Sequence, residues 1–182
     1  MADYPAELTG TWTVDNVHST IGFAVRHAMV ATTRGRFTSY TGGATIDADN
    51  IENSTLWLEI DASSVETGNG QRDGHLGSAD FFNAEEHPKI TYKSTSVKAQ
   101  GDEVVVVGDL TVAGNTHPVE VTWEINGVVK NPMGEGYKAG FDGSATVNRK
   151  DWGLTWNSAL EAGGVLVSDK IKLVLEIEAD RA

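Results

Sequence analysis

Residues 119–125 place Val119, Val121, Trp123 and Ile125 on one side of the chain and Glu120, Thr122 and Glu124 on the other. An apolar/polar period of two is that of a pleated strand with one buried and one wet face. The same alternation sets Ile21, Phe23 and Val25 on one face, and Leu56, Leu58 and Ile60 against Thr55, Trp57 and Glu59. It returns around Ile90 and Tyr92 and ends with Ile171, Leu173, Leu175 and Ile177. Turn chemistry separates these runs at residues 15–18, 47–53, 98–102, 114–116 and 131–136. Residues 35–47 read as one extended segment with a bulge or sharp bend at Gly42-Gly43. Residues 104–112, apolar on both faces, read as a strand covered on both sides. The chain is therefore all-β and antiparallel, with roughly eight strands; a closed barrel and a sandwich both satisfy the pattern. A barrel of about this size encloses side chains or one small ligand.

One stretch breaks the alternation. Residues 71–90, QRDGHLGSADFFNAEEHPKI, mix apolar, aromatic and titratable side chains. They read as a short helix and loop near residues 72–82 that close one end of the sheet, with Leu76, Phe81 and Phe82 pointing inward. Arg72, Asp73 and His75 would sit at the mouth, to hold the loop or to meet a polar group.

At 182 residues the chain reads as one domain over 1–182, with residues 1–9 a loose lead-in, and it is long enough to bury a sizeable core. The formal charge of −12 argues against nucleic acid and against attachment to acidic membranes, since both repel an acidic surface. Cysteine is absent, which excludes disulfides, thiolate chemistry and cysteine-ligated zinc. No apolar run approaches the ~18 residues of a membrane-spanning helix. The first residues, MADYPAELTG, carry neither a basic nor an apolar signal region, so a cytoplasmic protein is expected.

Catalytic and metal motifs are sparse. The five histidines, His18, His27, His75, His87 and His117, show no HxH or HExxH spacing. There is no GxSxG elbow and no phosphate-binding loop. Residues 47–52 begin like a calcium loop but lack its third oxygen ligand and its glycine. His75 and Ser78, with Asp80 nearby, are the one spacing that suggests a nucleophile beside a base. Inward-facing candidates for a ligand cavity are Phe23, Val25, Leu58, Ile60, Tyr92, Leu110, Val121, Trp123, Phe141, Leu173 and Leu175, with Leu76, Phe81 and Phe82 at its mouth. Arg26 joins Arg72, Asp73 and His75 as a candidate for a headgroup or loop anchor.

Several stretches in order resemble the YceI-like family of lipid-binding proteins. They are Asp15-Asn16-Val17-His18-Ser19 with Ile21, Phe23 and His27; Gly35-Arg36-Phe37; Arg72-Asp73 with His75-Leu76 and Asp80-Phe81-Phe82; Pro88-Lys89-Ile90; Gly108-Asp109-Leu110-Thr111; and Asn148-Arg149-Lys150-Asp151-Trp152-Gly153. Gly10-Thr11-Trp12 also resembles the GxW of lipocalins, whose tryptophan plugs the closed end of the barrel. The resemblance implies an extended, lipocalin-like antiparallel barrel of eight strands whose apolar pore holds a polyisoprenoid chain, quinone-like or polyprenyl phosphate. It implies binding, carriage or storage of a long-chain isoprenoid lipid, with no catalytic residues, metal or required cofactor. A homodimer is compatible with it. Many members are periplasmic, and Asn83 stands where the family often has an acidic residue. The rival expectation is a cavity enzyme acting on an apolar substrate through Arg72, Asp73 and His75. The net charge favours a neutral headgroup over a pyrophosphate.

Overall fold

A computed structural model describes residues 3–182. The strands are β1 (Gly10–Val14), β2 (Thr20–His27), β3 (Ala31–Phe37), β4 (Tyr40–Ile46), β5 (Thr55–Asp61), β6 (Val65–Glu66), β7 (Lys89–Gln100), β8 (Glu103–Val112), β9 (Asn115–Lys130), β10 (Tyr137–Asn148) and β11 (Val167–Arg181), with one helix, α1 (Gly70–Gly77). Antiparallel pairing runs β1-β4-β5-β7-β8-β9-β10-β11 and returns to β1, closing an eight-stranded barrel. Among the described residues, no helix is long and apolar enough to cross a membrane.

β11 explains how eleven strands make an eight-stranded barrel. Its Ala179 and Asp180 pair with Val14 and Thr13 of β1, while Leu173 and Leu175 pair with Phe23 and Ile21 of β2. β1 and β2 are thus two halves of one bent strand. β3 and β4 are halves of the next, and β6 pairs with β3 as a short continuation of β5. The single extended segment expected over 35–47 is broken at Thr38-Ser39. There Thr38 bonds to Ser64 and the Ser39 hydroxyl donates to Asp61, so the chain turns a corner. Gly42-Gly43 is no bulge, for β4 keeps its register through both residues. The glycines allow close approach: a Cβ on Gly43 would lie 2.7 Å from the Trp12 carbonyl and one on Gly42 2.9 Å from Leu58.

The expectation for residues 104–112 is also corrected. Val104 and Val106 are buried in the barrel, but Val105 and Val107 are only half-buried on the outer face. Their cross-strand neighbours include Lys98 and Glu120, whose stems give partial cover.

The end of the barrel where β1 begins is sealed. Met1 and Ala2 of the expected lead-in lie outside the described residues; Ala6–Leu8 form a 3-10 turn and Leu8 is completely buried. The Trp12 indole N–H donates to the Leu8 carbonyl at 2.7 Å, and the Arg181 guanidinium lies over the Trp12 and Tyr137 rings at 5.5 and 4.6 Å. A buried indole with its N–H bonded makes a rigid plug.

Candidate functional site: an apolar barrel cavity with an aromatic lid

Because inward residues of a closed sheet converge on its axis, the alternation seen in the sequence becomes the wall of one cavity. Its volume is about 300 Å³, at the low end of the roughly 300–1,000 Å³ of small-molecule sites. Phe23, Val25, Leu58, Ile60, Leu76, Phe81, Phe82, Tyr92, Leu110, Val121, Trp123, Phe141, Leu173 and Leu175 all line it. So do Trp12, Ile21, Phe37, Trp152, Leu154 and Ile177, which are not among the inward-facing candidates named from the sequence.

Aromatic rings in a barrel this narrow would fill it if they projected along the radius. Cross-strand glycines let them lie against the wall instead. Trp123 stands opposite Gly143, where an added Cβ would come within 2.8 Å of the indole. Phe23 stands opposite Gly35 and its ring occupies the space a Cβ there would take. Tyr92 is fixed the same way, its hydroxyl donating to the Val119 carbonyl at 3.0 Å, and burial raises its pKa.

The other end is covered by α1 and the turn after it. Three of the eight residues in GQRDGHLG are glycine, and none is buried. Glycine costs a helix interior up to about 1 kcal/mol against alanine, so outside bonds must hold this helix. The Asn69 side chain caps it, accepting from the Arg72 N–H at 3.0 Å. Arg72 and Asp73 grip one residue: Arg72 Nε donates to Thr67 Oγ1 at 2.7 Å and its Nη2 to the Thr67 carbonyl at 2.8 Å. Asp73 Oδ1 accepts from the Thr67 N–H at 2.9 Å and its hydroxyl at 2.5 Å. His75 meets Asp80 at 2.9 Å, and its ring packs edge-on against Phe81 and Trp156. Phe82 continues a second aromatic row through Phe37 to Phe23.

This arrangement does not assemble a catalytic relay. The Ser78 hydroxyl donates to the His75 carbonyl at 2.6 Å, not to its ring, and Arg72 and Asp73 are bound to Thr67. Arg26 follows the inward Val25 by one residue, so the pleat turns it outward and it is exposed, off the cavity wall.

Arg149 is a site residue whose part the pattern reading missed. It is 4% exposed and lines the cavity. Its N–H groups donate to the carbonyls of Leu154 at 2.7 Å, Trp156 at 2.8 Å, Ser168 at 3.0 Å and Val167 at 3.3 Å, and Asp169 lies 3.6 Å away. Desolvation lowers its pKa. The guanidinium thus stitches the irregular segment between β10 and β11 to the barrel, with four of its five N–H donors on carbonyls. By contrast, Trp123 Nε1 is buried in the wall with no hydrogen-bond partner.

Outside the cavity, Asp15, His18 and Glu178 converge closely enough to ligate a cation. An ammonium already serves them: Lys138 Nζ lies 3.3 Å from Asp15, 2.9 Å from Glu178 and 2.7 Å from Asp180. The cluster pins the β1–β2 break to β10 and β11.

The chain is 38% identical over 164 residues to a UPF0312 protein of Staphylococcus epidermidis, covering 90% of this chain and 94% of the relative. It superposes on the crystal structure of the Campylobacter jejuni YCEI protein with a TM-score of 0.74 and 29% identity, over 100% of this chain and 99% of the other. A polyisoprenoid binding domain from Saccharophagus degradans shares the fold, with a TM-score of 0.65 and 15% identity over 94% and 98% of the two chains. The family model of the YceI-like domain matches residues 12–179. That span takes in the Trp12 plug, the aromatic lid and the Arg149 clasp, and the chain belongs to the YceI-like family.

Proposed function

We propose that this barrel binds one long isoprenoid lipid and carries or stores it, with the tail in the cavity and its polar end toward α1. The observation that carries the reading is the continuous apolar wall, closed at Trp12 and covered at the other end by a weakly built helix. An isoprenoid tail gains about 25 cal/mol per Å² of apolar surface taken from water, and a pre-formed tube collects that gain without reorganising. Family membership and the fold shared with a protein named as a polyisoprenoid binding domain support the same ligand class.

The wall also bears on the headgroup. Its one charged lining residue among the described residues, Arg149, has four of its five donors on backbone carbonyls and Asp169 beside it, so it is poorly placed to take a pyrophosphate. That favours a neutral head such as a quinone. Native mass spectrometry of the purified protein, followed by organic extraction, should find a neutral isoprenoid at one per chain. Polyprenyl pyrophosphate alone would reverse the headgroup assignment, and no apolar ligand under any expression condition would sink the binding reading.

A further inference from the structure

The net charge is −12, yet its distribution is uneven: residues 16–46 contain no aspartate or glutamate, while Arg26, Arg34 and Arg36 fall within them. Those arginines lie on the outer face of β2 and β3, all exposed, and Lys172 of the adjoining β11 is in register with Ala24 and Arg34 across the sheet. Arg36 faces Glu66 at 3.3 Å, but Arg26, Arg34 and Lys172 have no ion-pair partner among the described residues. This is a basic strip on an acidic protein.

The strip ends at the β2–β3 turn. Met29 is 60% exposed and Val30 81% exposed, and the neighbouring Val165 is 38% exposed. Ala28 and Met29 both adopt positive φ, 50° and 66°. They are the central residues of the β-turn closed by the Val30 N–H on the His27 carbonyl; that shape is the place for Asn-Gly, and an apolar pair there is a strained choice. The tip adjoins the mouth: Ala28 N–H donates to the Leu166 carbonyl at 2.8 Å, and His27 and Leu166 share one surface depression with Arg72 and His75 of α1. At the opposite end Val129 and Met133 are exposed too, but Asp102, Glu103 and Glu135 accompany them in the turns there; at the α1 end Asp80, Glu85, Glu86 and Glu161 are exposed as well, but they stand on the segment after α1 and on the loop before β11, not on the β2–β3 hairpin.

We infer that the β2–β3 hairpin is a docking foot for an anionic phospholipid surface, with Met29 and Val30 entering the headgroup layer and Arg26, Arg34 and Lys172 meeting lipid phosphates. The foot sets the α1 end of the barrel against the bilayer, where an apolar ligand crosses without passing through water. Basic residues beside an exposed apolar tip are the two signals that reversible membrane attachment needs. Its use in ligand exchange rests on the isoprenoid reading; the docking itself does not.

Flotation with vesicles of phosphatidylcholine, with and without phosphatidylglycerol, tests it. The protein should float with the anionic vesicles only and be released by salt. A28N/M29G suits the turn better and keeps the fold, yet should weaken flotation severalfold, Val30 being left in place. R26Q/R34Q should weaken it by about fivefold per charge removed. Measured on the same samples, retained isoprenoid should stay at the wild-type value in both variants and the melting temperature should not fall below it. No flotation of the wild type, equal flotation on neutral vesicles, or undiminished flotation of A28N/M29G would each overturn the inference. Flotation of a protein found to carry no isoprenoid would leave the docking foot standing and remove the carrier reading instead.

Discussion

Arg149 shows how one side chain can organise a segment without secondary structure. It donates to four backbone carbonyls and ties down residues 154–166, whose own strand pairing is the Ala159–Val165 bridge. Arg149→Met keeps most of the volume but orphans those acceptors, each worth about 1–3 kcal/mol when buried. A loss of about 3 kcal/mol or more is expected in urea unfolding, and a loss under about 1 kcal/mol would show that the segment holds itself. Asp15 and His18 give a second residue-scale expectation. The hydrogen bond from His18, aided by the Val17 N–H and Lys138, holds the Asp15 carboxyl at about 2. Its folded pKa is depressed, so its contribution is full above the ordinary value near 3.9 and is lost as pH falls toward 2. His18 moves the other way, raised chiefly by its bond to Asp15, so its contribution is full below about 6.5 and is lost as pH rises through its folded value. Denaturant midpoints should therefore fall away on both sides of that window. His18→Ala should flatten the alkaline shoulder and Asp15→Asn the acid one; a His18→Ala profile running parallel to wild type would refute the coupling.

At the scale of elements, α1 is the part held least by its own sequence and most by its neighbours. Gly74 has ordinary φ and no atom within 4 Å of where a Cβ would stand. Gly74→Ala should therefore stabilise the helix by about 1 kcal/mol without a clash. If α1 gates the cavity, exchange of a fluorescent isoprenoid analogue should slow in this variant and quicken in Asp73→Ala, which removes two of the four bonds that hold Thr67. Unchanged rates in both would place the gate elsewhere. The strands were far more legible in the sequence than this helix, and for a physical reason. A strand in a one-sided sheet repeats its burial every second residue, so Leu58, Val121 and Leu173 announce their own orientation. The grip of Arg72 and Asp73 on Thr67, or of Arg149 on carbonyls, is a tertiary bond with no period to read. The glycine pairs misled for a related cause. Gly42-Gly43 looks like a bend until Trp12 and Leu58 are seen against it, and the four valines that open residues 104–112 cannot say that one of their faces stays at the surface.

For the whole molecule, the cavity sets a tension between packing and capacity. Interiors are normally filled, and an apolar void costs about 24 cal/mol per Å³. A void of about 300 Å³ left empty would cost several kcal/mol, a large part of the roughly 5–15 kcal/mol by which domains are stable. The cross-strand glycines that press Trp123 and Phe23 to the wall keep this space open, where larger residues would let the rings fill it. The fold thus holds room that its own side chains do not use. Two consequences follow for the intact barrel. Gly143→Val should drive the Trp123 ring into the lumen, lowering isoprenoid content per chain severalfold while the protein stays folded. Extraction of bound lipid from the wild type should lower its melting temperature, and adding a long isoprenoid alcohol should restore it as ligand binds the native state alone. The same extraction should leave Gly143→Val almost unmoved, because its core is filled from within. If extracted and loaded wild-type protein melt together, the cavity is not held open for a ligand, and the carrier reading fails at the scale of the whole barrel.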